Sequence, residues 1–228
     1  MKWGLHADGG WLAQGALPTR EAERLRDAFV QAQPVERVVG TNVAGANVQA
    51  KIQEALGIEP RWVSACREQC GVRSSYANPA QLGADRWAAL IGARQLVPGA
   101  CVIANAGTTM TVDALSADSI FLGGFIVAGY ELMRETLARN TAQLKIQDGS
   151  FAFFPDNTGD AIASGAINAL AGAIERMVSY VRTTGEDEPA VLVSGGGGPR
   201  LLPYLGGDVR LAENLVLEGL ARIGATDG

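Results

Sequence analysis

Short apolar runs alternate with amphipathic stretches along the whole chain, and this alternation is typical of an α/β protein. A hairpin is predicted at the start, where residues 1–5 and 11–14 flank the turn Asp8-Gly9-Gly10. Further strands are predicted at 35–43, 61–66, 101–105, 110–115, 120–127 and 190–194. Apolar residues three and four positions apart predict helices at 20–32, 48–56, 87–97, 131–143, 160–183 and 215–223.

Two segments of the chain have the same predicted order of secondary-structure elements. Residues 110–123 form a strand, a turn containing Asp118 and a second strand, and residues 1–15 repeat that order around Asp8. Coincidence is an alternative, because the strand–turn–strand unit is common. If the similarity is a duplication, the protein is a duplicated α/β fold that lacks its first strand. The length fits one large domain or two domains of about 110 residues each, and in the two-domain case the expected bounds are 1–99 and 100–228.

Composition narrows the classes of function. The 228 residues are 47% apolar and carry a formal net charge of −5, which argues against nucleic acid or an anionic membrane as the main partner. None of the three lysines follows a glycine, so the Walker A phosphate loop is absent, and a single histidine, His6, excludes a histidine-paired nucleophile. No segment is typical of a signal peptide or a membrane span. Three cysteines, an odd number, indicate reduced thiols in the cytoplasm.

The stretch from Tyr76 to Trp87 is the most informative. Pro79 and Gly83 predict a turn before a helix, and Asp85 and Arg86 would then lie in the first helical turn. Asp85 suits a helix N-terminus for electrostatic reasons alone, and Arg86 could form a surface ion pair. The functional alternative is a carboxylate directed at a substrate hydroxyl beside a cation for an anionic group.

Two glycine-containing turns follow buried strands. The segment Asn105-Ala106-Gly107-Thr108-Thr109 offers backbone N–H groups and hydroxyls that suit phosphate oxygens, although an ordinary hairpin turn has the same composition. The run Ser194-Gly195-Gly196-Gly197-Gly198-Pro199 permits close contact with a ligand, or is a flexible loop. It doesn't complete the Rossmann fingerprint. A further stretch, 157–165, places Thr158 or Gly159 where it could cap a helix.

Taken in order, these stretches resemble the type III pantothenate kinases, also called the Bvg accessory factor family. The matching motifs are Tyr76 through Asp85-Arg86, Gly107-Thr108, Gly123-Gly124 and the segment from Thr158 to Gly165. The resemblance extends over nearly the whole chain. It implies the duplicated actin-like, acetate and sugar kinase (ribonuclease H-like) fold, with two domains and a nucleotide cleft.

The resemblance also implies which residues form the active site. Asp85 would be the proton acceptor that acts on the primary hydroxyl of pantothenate. The residues that would contact pantothenate are Tyr76, Gly83, Ala84, Asp85, Arg86 and Thr158. Thr108, with Gly107, would contact ATP. Because lysine is nearly absent, Mg²⁺ and a monovalent cation, K⁺ or NH4⁺, would supply the positive charge. The implied protein is a cytoplasmic homodimer that catalyses the first step of coenzyme A synthesis.

Two departures from the family pattern bear on these expectations. Family members begin with an Asp-x-Gly-Asn-Thr phosphate loop before a segment like Met1 to Leu5, and this sequence does not contain it. Either Met1 is an internal methionine taken as the start, or the ATP loop has been lost. The alternative function is therefore a non-catalytic regulatory or binding protein of the same fold. Asn105 occupies the position where many members bind the monovalent cation through an Asp, so cation binding should be weaker here.

Overall fold

A computed structural model describes residues 1–29, 35–140 and 148–226. The strands have these bounds: β1 Lys2–Ala7, β2 Gly10–Ala16, β3 Val39–Gly40, β4 Arg61–Trp62, β5 Glu68–Gln69, β6 Val72–Ser74, β7 Cys101–Ala106, β8 Thr109–Leu115, β9 Ile120–Ala128, β10 Ala190–Ser194 and β11 Val209–Leu211. The helices are α1 Leu25–Phe29, α2 Ala46–Leu56, α3 Ala84–Leu96, α4 Tyr130–Asn140, α5 Thr158–Arg182, α6 Gly198–Leu201 and α7 Leu215–Thr226. Short 3-10 turns lie at Thr19–Arg24, Pro79–Gln81 and Leu202–Tyr204.

The chain divides into two compact units, Met1–Gly92 with Leu215–Gly228, and Ala93–Asn214. The predicted domains, 1–99 and 100–228, stay a prediction, since compactness does not identify the two halves of a duplication. Within the described residues, no helix combines the length and the apolar character that a membrane crossing requires.

The first unit contains the predicted hairpin, with β1 and β2 paired antiparallel. Each tryptophan of the hairpin lies against a glycine on the other strand, Trp3 on Gly15 and Trp11 on Gly4. The long strands predicted at 35–43 and 61–66 are wrong in extent, because only β3 and β4 pair, in parallel, over two residues each. The stretch after residue 67 lacks hydrophobic alternation, yet it forms the antiparallel pair β5–β6.

Helix α3 carries the most informative motif at its first turn. Its buried residues Trp87, Leu90 and Ile91 are fully inaccessible, and they recur at helical spacing. The Trp87 indole N–H donates to the Gln69 side chain oxygen at 2.9 Å, so the polar edge of this buried ring is satisfied. Each buried aliphatic side chain of this kind contributes about 1.5–3 kcal/mol, which anchors the helix that carries Asp85.

The second unit is a mixed sheet in the strand order β11-β10-β7-β8-β9. Strands β7, β8 and β9 form an antiparallel meander, and β10 runs parallel to both β7 and β11. Helix α5 packs on this sheet through the buried residues Leu170, Ile174, Met177 and Val181, at spacings of three and four. Because β7 and β10 are parallel neighbours, their carboxyl ends meet at one edge of the sheet, which is where ligands bind in open α/β sheets.

Helix α4 begins at Tyr130, one residue before its predicted start. The predicted end of this helix, at residue 143, lies outside the described residues. Helix α5 begins at Thr158 rather than at 160, and β10 has the predicted bounds, 190–194.

Candidate active site

The first unit brings together the residues from Tyr76 to Arg86. The Asn78 side chain accepts a hydrogen bond from the N–H of Ala80 at 3.1 Å, and Pro79 begins the short 3-10 turn. The chain then enters α3, where the carbonyl of Gly83 accepts from the N–H of Trp87 at 3.0 Å. Local turn chemistry therefore sets the start of the helix and, with it, the place of Asp85.

The Asp85 carboxylate is half-buried and folds back over the residue that precedes the helix. Its Oδ1 accepts from the N–H of Arg86 at 2.9 Å. A Cβ atom placed on Gly83 would lie 2.7 Å from the same Oδ1, which is closer than a carbon and an oxygen can approach without a shift. Glycine at 83 is thus the residue that leaves room for this carboxylate position, and a carboxylate held by one backbone donor keeps lone pairs for a substrate hydroxyl.

Arg86 and Tyr76 are neighbours. The guanidinium Nη1 donates to the Tyr76 hydroxyl at 3.4 Å, and Arg86 is only 6% exposed. Arg86 is therefore not at the surface, which contradicts the surface position in the ion-pair alternative. A buried guanidinium beside a phenol hydroxyl is suited to recognise anionic or polar groups.

The turn between β7 and β8 forms a second cluster, in the second unit. Gly107 and Thr108 are exposed there. The turn is closed by the N–H of Gly107, which donates to the carbonyl of Thr109 at 3.0 Å. Gly129 packs against it, because its N–H donates to the Thr108 carbonyl at 2.9 Å and a Cβ at 129 would lie 2.2 Å from the Gly107 carbonyl oxygen. Gly129 was not among the predicted site residues, although a glycine between a strand and a helix is a signal of close backbone approach.

The glycine run after β10 is a close-packed turn against the end of β7. The N–H of Gly197 donates to the carbonyl of Ala106 at 3.0 Å. Gly195 has a φ of +88°, and a Cβ there would lie 2.3 Å from the same carbonyl oxygen. It would also lie 2.9 Å from the Asn105 Oδ1, which places the Asn105 amide oxygen beside this turn. These contacts argue against the flexible-loop alternative.

Thr158 is the first residue of α5, and its side chain is exposed. The cap of this helix is Asn157, whose Oδ1 accepts from the N–H of Asp160 at 2.9 Å, so the expectation that Thr158 or Gly159 caps the helix is wrong. Capping therefore does not use the hydroxyl of Thr158.

Asp160 ties the preceding segment to the same helix end. The N–H of Ser150 donates to its Oδ1 at 2.7 Å, and the Asn157 amide donates to its Oδ2 at 2.7 Å. These two donors hold the pKa of Asp160 below its usual range. The segment before α5 thus enters the helix in a defined conformation, with Thr158 presented at its start.

The part of the chain that the structure describes has no cluster of the side chains that usually bind a metal ion. Within residues 1–29, 35–140 and 148–226, no group of three or more His, Cys, Asp or Glu side chains could hold one. Mg²⁺ commonly keeps several waters and binds substrate phosphates together with a few protein oxygens. The Thr108 hydroxyl and the Asn105 amide oxygen are oxygen ligands of the type that Mg²⁺ takes.

Comparison with known proteins assigns the chain to a family. A sequence profile described as type III pantothenate kinase matches residues 1–180. The chain belongs to the type III pantothenate kinase family. Among its relatives, the type III pantothenate kinase of Aromatoleum aromaticum is 49% identical, and the match covers 100% of this chain and 94% of the relative. That of Nitrosospira multiformis is 44% identical, with 98% and 86% covered.

Two solved structures are similar in fold to this chain. A Campylobacter jejuni protein described as a Baf family transcriptional activator has a TM-score of 0.57 at 22% identity, covering 88% of this chain and 87% of its own. A Sinorhizobium meliloti protein described as a 2-dehydro-3-deoxygalactonokinase has a TM-score of 0.61 at 16% identity, covering 99% and 95%. The predicted fold class, the actin-like and sugar kinase fold, is confirmed, and so is the family recognised from the motifs.

Proposed function

We propose that this chain transfers the γ-phosphoryl group of ATP to the primary hydroxyl of pantothenate, giving 4'-phosphopantothenate and ADP. The observation that carries the proposal is the Asp85 carboxylate, which is held over Gly83 by one backbone N–H at the start of α3. Family membership supports the choice of substrate, since relatives over 40% identical are named pantothenate kinases.

In this proposal, Asp85 accepts the proton of the pantothenate hydroxyl. The hydroxyl oxygen forms a bond to the γ-phosphorus as the bond from that phosphorus to the bridging oxygen of ADP breaks. A positioned base contributes about 10²–10⁴-fold to such a step. Positioning and charge stabilisation supply much of the remainder.

The other proposed pantothenate contacts have the chemistry that a polar, anionic substrate needs. Arg86 offers a cation and Tyr76 a hydroxyl, and the two groups lie 3.4 Å apart. Gly83 and Ala84 allow close approach at the start of α3. Thr158 offers a hydroxyl that capping does not use.

ATP is proposed to bind at the shared carboxyl edge of β7 and β10. The Gly107-Thr108 turn and the Gly195–Gly198 turn meet there, since the N–H of Gly197 donates to the carbonyl of Ala106. Backbone N–H groups and hydroxyls in such turns suit phosphate oxygens. Mg²⁺ would be held by the ATP phosphates with Thr108 and Asn105 nearby, and its charge would stabilise the transferred group. A monovalent cation would bind at Asn105 only weakly.

A cytoplasmic homodimer is part of the same proposal. The three cysteines are unpaired, as is usual in a reducing compartment. Exposed apolar side chains lie on β9, α4 and α5 of the second unit: Leu122, Ile126, Leu137 and Tyr180. Exposed apolar groups that form a contiguous patch mark contacts between proteins, and we propose that these four form one. Light scattering on the purified protein measures the oligomeric state directly.

The test of the function is ATP-dependent phosphorylation of pantothenate by the wild-type chain and by Asp85→Asn. The amide keeps the size of the side chain but cannot accept the proton, so kcat should fall about 10²-fold or more. Asp118→Asn is the matched control, because Asp118 is an exposed aspartate in the turn between β8 and β9. A folded wild-type chain with no kinase activity would instead support the non-catalytic alternative.

A further inference from the structure

Arg200 lies over an aromatic ring. Its Cζ is 3.9 Å from the centroid of the Tyr130 ring, and its Nη1 lies 3.0 Å from Oε1 of Glu131. The Tyr130 ring itself packs against the core of the second unit. The guanidinium is therefore held on one side by an aromatic ring and at one edge by a carboxylate.

This pair joins the two segments that flank the end of β7. Tyr130 follows Gly129, whose N–H donates to the Thr108 carbonyl at 2.9 Å. Arg200 follows the glycine turn, and its own N–H donates to the carbonyl of Gly197 at 3.2 Å. Both residues thus adjoin the turns that are proposed to hold the phosphates of ATP.

The environment of Arg200 favours a flat ligand over a phosphate. Glu131 is shared between Arg200 and Arg134, and Arg134 also lies 3.8 Å from Asp148. Two carboxylates therefore offset the two positive charges, which weakens the attraction of this cluster for an anion. The guanidinium Cζ lies 3.9 Å from the Tyr130 ring centroid, yet the side chain is 45% exposed, so surface remains for a second planar group. A planar, weakly hydrated guanidinium stacks well on π systems.

We propose that Arg200, supported by Tyr130, is the platform on which the base of the nucleotide stacks. The inference rests on the proposed binding of ATP in the second unit, and it adds the residue that recognises the base. Stacking does not read hydrogen-bonding edges, so this contact would favour nucleoside triphosphates over inorganic polyphosphate without selecting strongly among bases.

The test compares ATP with inorganic tripolyphosphate, which has the phosphates but no base. Calorimetric titration of each ligand, with Mg²⁺, into the full chain gives both dissociation constants. Arg200→Ala should weaken ATP binding about 10-fold and change tripolyphosphate binding less than about 2-fold. Arg200→Lys keeps the charge but not the plane, so it should weaken ATP binding to a similar degree.

Arg210→Ala is the matched control. Arg210 is likewise part exposed and paired with a carboxylate, that of Asp208, and it should bind both ligands like the wild type. Thermal unfolding of each variant establishes that it is folded.

Wild-type affinity for ATP in both Arg200 variants would overturn the inference. So would an equal loss of affinity for ATP and tripolyphosphate, which would identify a phosphate contact, or a wild type that binds ATP no more tightly than tripolyphosphate. A chain whose ATP affinity depends on Arg200 in this way, but which does not phosphorylate pantothenate, would refute the proposed function and support the stacking platform.

Discussion

Replacing Gly83 by alanine separates a catalytic Asp85 from one that merely suits a helix N-terminus. The added Cβ would lie 2.7 Å from Asp85 Oδ1, with the Arg86 Cδ at 3.9 Å. Gly83 does not have a positive φ, so alanine meets no backbone strain there. The perturbation is therefore local, and the carboxylate is the group that has to move.

The size of the effect follows from that contact. A carbon and an oxygen rest about 3.2–3.5 Å apart, so Oδ1 must move by about 0.5–1 Å and its 2.9 Å hydrogen bond to the Arg86 N–H must lengthen or break. The carboxylate is the end of a flexible side chain, which limits the loss of stability to about 1 kcal/mol. A misplacement of about 1 Å at a reacting group costs up to about 10²-fold in rate, so kcat should fall about 10- to 100-fold.

The assay is steady-state phosphorylation of pantothenate at saturating ATP, with thermal unfolding measured on the same samples. Gly172→Ala is the matched control, because a Cβ at this glycine within α5 meets open space. That variant should keep wild-type activity and gain up to about 1 kcal/mol of stability from helix propensity. If Gly83→Ala turns over within about 2-fold of the wild type while folded, the position of the Asp85 carboxylate does not limit the reaction, and the assignment of Asp85 as the base fails.

Three further outcomes are expected. Gly219→Ala should lower the free energy of unfolding, measured by urea titration, by about 3 kcal/mol, because its Cβ would lie 1.8 Å from the backbone oxygen of Ala88. An unchanged midpoint of the urea unfolding transition would contradict this packing. With a neutral Asn105, exchanging Na⁺ for K⁺ or NH4⁺ at equal ionic strength should change kcat less than about 2-fold, whereas saturable activation lost in Asn105→Ala would show that the amide suffices. Burial raises the pKa of the Cys101 thiol to about 11, so this thiol should react slowly near pH 8. Iodoacetamide labelling followed by mass spectrometry should therefore find exposed Cys66 modified and Cys101 unmodified until the chain is unfolded. Labelling of both cysteines at similar rates in the native protein would contradict this.

Local patterns were sufficient for the elements that have strong hydrophobic periodicity. The meander β7–β9, strand β10 and helices α3, α5 and α7 all lie within a few residues of their predicted places, since each has enough apolar side chains to define its own buried face. The order of the motifs also predicted the family that the sequence profile identifies.

The secondary structure of segments with little hydrophobic periodicity depends on the strands with which they pair. The predicted strands at 35–43 and 61–66 shorten to β3 and β4, and the polar stretch after residue 67 pairs as β5–β6. Strand pairing depends on backbone groups supplied by another part of the chain, and a segment of two or three residues has too few side chains to show this.

The candidate site also combines features that are visible in the sequence with contacts that only the folded chain shows. The residue types of Asp85, Gly107 and Thr108, and their order, can be seen in the sequence. That Gly83 makes room for the Asp85 carboxylate, that Asn157 rather than Thr158 caps α5, and that Arg200 lies on Tyr130 are contacts made by the folded chain. Such contacts depend on differences of a few tenths of an ångström in the distances between backbones and side chains, and close packing of the whole unit sets those distances.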